Sequence, residues 1–145
     1  MDSEKSHLDE TVLRIRPRAK RRTRQRSVIQ RVLLEANRPL SPQDILLAAQ
    51  ARAPGLGIAT VYRTIHTMMT EGTLVAVGIP GEAARYETAG KEHHHHFQCR
   101  ECDGVFDVQG CPTDDLVKLA PKGFHLESHQ VVLYGVCPPC TGMPT

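Results

Sequence analysis

The chain contains no tryptophan, and aromatic residues make up only 4% of its 145 residues. A core must therefore draw on Leu, Val, Ile and Ala. Two small cores sharing that material would each be thin, and thin cores are commonly stapled by a metal. No run of about 20 apolar residues occurs, so no helix can span a membrane. The opening stretch MDSEKSHLDE is polar and acidic and does not read as a signal peptide. The expected compartment is the cytoplasm, where thiols stay reduced and paired CxxC motifs read as metal ligands before disulfides. HExxH is missing, as is the deaminase combination of HxE with a downstream PCxxC. No Gly-rich phosphate loop or Ser/His/Asp order is evident. These absences argue against an enzyme.

What is present is unevenly distributed. The net charge is +2, yet residues 1–88 carry 14 Lys/Arg against 9 Asp/Glu, and residues 89–145 carry 4 against 7. Nine basic residues lie between Arg14 and Arg31 with no acid among them. A basic and an acidic half suggest two modules, the first suited to neutralising phosphates. Residues 1–20 are expected to be a disordered basic arm.

From Thr23 a helical pattern begins, with Val28, Ile29, Val32 and Leu33 at helical spacing and Asn37, Arg38 and Pro39 ending it. In SPQDILLAAQARAPG, Ser41 is an N-cap candidate, Pro42 suits the first helical position and Asp44 fits a capping box. Then, in GLGIATVYRTIHTMMTEG, Ile58, Val61, Ile65 and Met68 or Met69 form an apolar stripe, and Thr60, Arg63, Thr64 and Thr67 are expected to point elsewhere. Two β-type runs follow, at 74–78 and 84–88, joined around Pro80-Gly81. Three helices and a hairpin outline a winged helix-turn-helix. The polar segment 88–92 reads as a hinge. Beyond it, short strands are expected at 93–98, 105–108 and 130–135, with a short helix at 113–119.

Cys99-x2-Cys102 and Cys137-x2-Cys140 are two chelating pairs separated by 34 residues. Two such turns complete a tetrahedron around zinc, and four thiolates leave no open position, so this metal is structural. Cys111 has no CxxC partner and reads as a plain buried or free thiol, with metal ligation as the alternative. The run HHHH at 93–96 is unusual. On a strand, His94 and His96 share one face while His93 and His95 share the other, so one segment can serve two metal sites. Glu87, Glu92, Asp107, Asp114, Asp115, His125 and His129 are available as further ligands, and spacing alone does not choose among them.

The combination of GIATVYRTI (57–65), RYE (85–87), HHHHFQCREC (93–102) and the LYGVC ending at 137 resembles the ferric uptake regulator superfamily over about residues 20–140. The resemblance implies an α+β protein. A winged-helix DNA-binding domain would span 21–88, and a small α/β metal-binding dimerisation domain would span 89–145. It implies a homodimeric, metal-responsive repressor of metal homeostasis or uptake genes, acting on double-stranded DNA at an inverted-repeat operator. The helix in 58–70 would enter the major groove with Thr60, Tyr62 and Arg63, and Arg21, Arg22 and Arg26 would approach the backbone or minor groove. A sensing site for iron(II), zinc or manganese maps onto Glu87, His94, His96 and Asp107. A further site maps onto His93, His95, Asp114 and His129. Two departures stand out. The family often takes a sensing histidine from the loop before the second helix, where this chain has Pro39, and many zinc sensors take a cysteine upstream of the histidines, which is absent here. Peroxide-sensing members usually rely on that missing histidine. Zinc or peroxide sensing, and constitutive DNA binding with metal storage, are the alternative roles.

Overall fold

The structure, a computed structural model, describes the backbone of residues 5–142 and the side chains of residues 19–142. Helix α1 spans Lys5–Ala36. It therefore begins well before Thr23 and includes residues 5–20, where composition predicts a disordered arm; residues 1–4 lie outside the described residues. Apolar periodicity marks only where a helix packs, and among the described side chains the apolar packing of α1 starts near Val28 and Ile29. A nucleated helix extends at little cost through Leu-, Glu-, Arg- and Ala-containing sequence, although Pro17 opposes it. Asn37 ends α1 in the left-handed region at φ 46°, a conformation that its short polar side chain tolerates.

Helix α2 spans Pro42–Gln50 and starts as expected: Ser41 caps the Asp44 amide, and the Asp44 carboxylate accepts from the Ser41 amide. Helix α3 spans Ile58–Thr70 and buries Val61, Thr64, Ile65 and Met68. Thr64 points inward, contrary to expectation, because it lies three residues after Val61 and four before Met68, on the packed stripe. Met69 is turned outward. Together Ile29, Val32, Leu33, Ile45, Ala49, Leu56, Val61, Ile65 and Leu74 form one apolar core. Strands β1 (Leu74–Val77) and β2 (Arg85–Thr88) pair antiparallel as the wing. Leu40 exchanges two backbone hydrogen bonds of 2.9 Å with Tyr86, adding a short third rung.

The second unit holds β3 (His95–Cys99), β4 (Val105–Val108), α4 (Thr113–Leu119), β5 (Val132–Gly135) and the short α5 (Pro138–Thr141). The sheet order is β4-β3-β5, with β3 antiparallel to β4 and parallel to β5. β5 approaches β3 closely: a Cβ at Gly135 would lie 2.8 Å from Phe97 Cζ. Only a glycine admits that approach without a shift.

Several contacts join the two units. Val77 and Ile79 of the wing pack with Val105 and Val132. Gln130 Nε2 donates to the Gly78 carbonyl at 2.9 Å. Arg38 donates to the Val105 carbonyl at 3.3 Å and lies 5.1 Å from the Phe106 ring centre. Buried Arg85 bonds both the Asp44 carboxylate and the Asp103 carbonyl. Arg85 thus links the cap of α2, the wing and the turn after Cys102.

Ser41→Ala removes a capping box and should cost about 1 kcal/mol, whereas Leu33→Ala, which opens a cavity in the core, should cost about 2–5 kcal/mol. Urea unfolding followed by circular dichroism would rank the two, and an equal or reversed order would contradict this packing.

Candidate metal centres and nucleic-acid interface

Among the described residues, three donor groups have ligand atoms all within 4.8 Å of one another. The first is Cys99, Cys102, Cys137 and Cys140. Cys99 ends β3, Cys102 lies in the following turn, and Cys137 caps α5, which holds Cys140. Cys102 Sγ and Cys137 Sγ are 3.7 Å apart. A disulfide would bring them to about 2.05 Å; a tetrahedral ion with metal–sulfur bonds of about 2.3 Å would hold them about 3.8 Å apart. The spacing fits zinc. The Cys137 amide donates to Cys99 Sγ at 3.3 Å and leads the influences that draw this thiol down to about 6. Cys140 is pushed up to about 12, first by the thiol of Cys137. Clustered thiols resist joint ionisation, and a divalent cation removes that conflict.

The second group crosses the hinge. Glu87 comes from β2, His94 from the segment before β3, His96 from β3 and Asp107 from β4. Antiparallel pairing sets His96 directly opposite Asp107. His94 Nε2 lies 3.0 Å from Glu87 Oε1 and 3.8 Å from Asp107 Oδ1, while His96 Nε2 lies 3.7 Å from Glu87 Oε1. His94 Nδ1 donates to the Glu92 carbonyl at 2.7 Å, which turns Nε2 inward. His96 Nε2 and Asp107 Oδ1 are buried with no hydrogen-bond partner. Such orphaned atoms are costly, and a cation at their common focus would satisfy both. The two nitrogens and two carboxylates suit iron(II), manganese or zinc.

Lys91, which the sequence reading did not single out, holds the outer oxygens. Its Nζ reaches Glu87 Oε2 at 2.8 Å and Asp107 Oδ2 at 2.6 Å, leaving Oε1 and Oδ1 to face the histidines. Burial alone would raise the Glu87 carboxyl, but its polar partners, His96 and Lys91 first, outweigh burial and bring it to about 2. Glu87 is therefore ionised at neutral pH and needs to lose no proton before accepting a cation.

The third group is His93, His95, Cys111 and His129. It differs from the set His93, His95, Asp114 and His129. Pro112 is the N-cap of α4, and Asp114 falls in that helix's exposed first turn, outside the cluster. Cys111, one residue before the cap, comes within 2.9 Å of His129 Nε2 instead. An odd cysteine beside two complete CxxC pairs was the available signal.

On the other unit, α3 exposes Tyr62, at 50%, and Arg63, so Tyr62 is no core residue. Arg63 donates to Thr60 Oγ1 at 3.2 Å. A polar groove of about 340 Å³ between α1 and α3 is lined by Arg22, Arg26, Thr60, Arg63 and Thr67. Arg26 also makes a two-pronged pair with Glu71 at 2.6 and 2.8 Å, and Arg21 donates to the Gly55 carbonyl at 3.3 Å. Arg22 and the outer face of α3 are thus the freer basic surface.

The family model of the ferric uptake regulator family matches residues 18–134. The chain belongs to the ferric uptake regulator family. Its members are metal-responsive transcriptional regulators, and this chain is one of them. It is 30% identical over 129 residues to the ferric uptake regulation protein of Bacillus subtilis, covering 85% of this chain and 87% of that one. The solved ferric uptake regulator of Helicobacter pylori, described as having three functional metal binding sites, is 25% identical. It aligns over 94% of this chain and 95% of its own, with a TM-score of 0.60. A zinc-bound manganese uptake regulator is 26% identical with a TM-score of 0.69, over 78% of this chain and 87% of that one. In this chain Arg38 and Pro39 fill the loop from which relatives often supply a histidine, and Arg38 ties that loop to β4 through a carbonyl and a ring. Among the described residues no helix is long and apolar enough to cross a membrane.

Lys91→Met should weaken divalent-ion binding at the Glu87 site by about 10–100-fold, the usual effect of losing an outer-shell partner. Competition titration with a fluorescent chelator would measure it. Unchanged affinity would show that Lys91 does not orient the carboxylates.

Proposed function

We propose that this protein is a metal-dependent, DNA-binding repressor of metal homeostasis or uptake genes. Residues 21–88 form the DNA-binding module and residues 89–145 the metal-binding dimerisation module. The observation that carries the reading is the convergence of Glu87 from the wing with His94, His96 and Asp107 from the sheet unit, with two buried donor atoms left unpartnered. A divalent ion held there supplies an electrostatic bond between the two units. Glu87 brings the wing, and His96 and Asp107 bring the sheet. Fixing the units at one separation sets the spacing of two α3 helices in a homodimer, and that spacing selects an inverted-repeat operator. The ion shifts the population only if it binds the DNA-competent arrangement more tightly than the others.

The exposed apolar residues Leu133, Tyr134 and Val136 on the outer part of the sheet unit support a dimer surface. Tyr62 contacts thymine methyl groups, Arg63 a phosphate or base edge, with Thr60 beside it, while Arg21, Arg22 and Arg26 serve the backbone. Zinc at Cys99, Cys102, Cys137 and Cys140 is structural and lies within the sheet unit. Iron(II), zinc and manganese all fit the hinge donors.

Fluorescence anisotropy on duplex DNA at fixed salt, after chelation of labile metal and then with manganese, zinc or anaerobic iron(II) restored, tests the reading. One metal should raise affinity by about tenfold or more, the range of ordinary allosteric coupling. His94→Ala should abolish that gain without unfolding the protein. Affinity indifferent to every metal would move the role to constitutive DNA binding or metal storage. Tyr62→Ala should weaken binding to the specific operator by about 1–3 kcal/mol while leaving nonspecific binding nearly unchanged, as the ratio of the two titrations would reveal.

A further inference from the structure

The four-cysteine group lies in the sheet unit, yet one chain of bonds leads from it to the helices of the first unit. We propose that Arg85 is a positioning residue that couples occupancy of the Cys99–Cys102–Cys137–Cys140 cluster to the N-terminal cap of α2, and through α2 to the seating of α3. The inference rests on the regulator reading only in taking α3 as the helix that meets DNA.

Three observations carry it. First, Arg85 is a buried cation, 7% exposed, with acceptors in both units. Its Nη1 donates to Asp44 Oδ2 at 3.1 Å and its Nη2 to the Asp103 carbonyl, while Nε has no partner. A guanidinium already short of one acceptor is costly to bury if it loses another. Second, the Asp103 carbonyl belongs to the turn that the thiols clamp. Asp103 directly follows Cys102 and stands in the left-handed region at φ 57°. The Cys99 amide donates to the Gly104 carbonyl at 2.9 Å, and a Cβ at Gly104 would lie 3.2 Å from Cys102 Sγ. Cys99 and Cys102 on one ion would fix both ends of this turn. Third, two adjacent residues of β2 hold the entry of α2. Tyr86 exchanges hydrogen bonds with Leu40, and Arg85 pairs with Asp44 of the capping box. Ile45 and Ala49 of α2 share a core with Val61 and Ile65 of α3. A shift at the entry of α2 therefore reaches the face on which α3 is seated.

The side-chain chemistry suits the task. A planar fork of five donors serves a carboxylate and a carbonyl at once, whereas an ammonium is a compact point charge. Arg38 offers a contrast. It also donates across the units, but to Val105, whose place is set by pairing with Gln98 in the β3–β4 ladder. Asp103 lies outside that ladder, so its carbonyl depends on the thiol turn and the Val105 carbonyl does not.

The test is hydrogen exchange of the full chain, read by peptide mass spectrometry under reducing conditions. Hinge metal is removed throughout, and the cysteine cluster is either loaded with zinc or stripped by a chelator. In the wild type, stripping should speed exchange across residues 40–50 by about fivefold or more, the local opening that follows when a buried donor loses its acceptor. Arg85→Met cuts the route, so exchange there should be the same in both zinc states, while residues 99–104 still respond to zinc. Arg85→Lys keeps the charge and covers the case in which the methionine variant does not fold. Its ammonium cannot serve both partners, so zinc sensitivity of residues 40–50 should again be lost. Arg38→Met should retain it. A wild type in which residues 40–50 ignore zinc would overturn the proposal. So would zinc sensitivity that survives in Arg85→Met or Arg85→Lys, or that vanishes in Arg38→Met. These readouts need no DNA, so a chain that passes them while its DNA affinity ignores the hinge metal sinks only the repressor reading.

Discussion

The antiparallel ladder between β3 and β4 is the constraint on which the metal chemistry depends. It sets His96 opposite Asp107 and leaves the preceding residues His94 and His93 to fall on alternate sides of the chain. A shift of one residue in that register would send each histidine to the opposite face and dismantle both clusters at once. Three features guard the register. Cys99 ends the strand within its thiol cluster, Gly135 lets β5 press against Phe97, and Val105 is fully buried where β4 begins.

The hinge site is also a problem in electrostatics. Two carboxylates and two imidazoles converge in a place largely withdrawn from water, where unpaired charge is expensive. Lys91 offsets part of it from outside, on Oε2 and Oδ2, and the inner atoms remain directed at one point. The same residues that stabilise poorly by themselves are therefore suited to a divalent ion. Arg38 and Arg85 join the units by other means, through carbonyls, a carboxylate and an aromatic ring. Contact between the units thus does not depend on metal alone, and a metal would act by tightening an association that already exists.

The face proposed to meet DNA follows a different logic. Val61, Ile65 and Met68 commit one face of α3 to the core, which obliges Tyr62, Arg63 and His66 to stand outside. The packing that stabilises α3 therefore also orients the side chains proposed to read DNA. Arg26 lines the groove between α1 and α3 while pairing with Glu71 at the end of α3.

Much of this was legible from the chain itself. Fixed local periods reveal the capping box at Ser41, the apolar stripe of α3, the thiol pairs and the opposed faces of the histidine run, because each depends on neighbours a few residues apart. Other features require distant segments to meet. Cys111 joins His129 only because α4 begins at Thr113 and turns Asp114 outward; Lys91 reaches both carboxylates only because β2 and β4 approach each other. Thr64 is buried because it completes a stripe that its polarity conceals, and the full length of α1 was not legible because the composition of residues 5–20 reads as a disordered arm. Sequence by itself determined which donors exist and on which face of a strand they fall. Only the tertiary structure decided which of them gather into one cluster, because that is a matter of distance in space between elements that the order of residues leaves far apart.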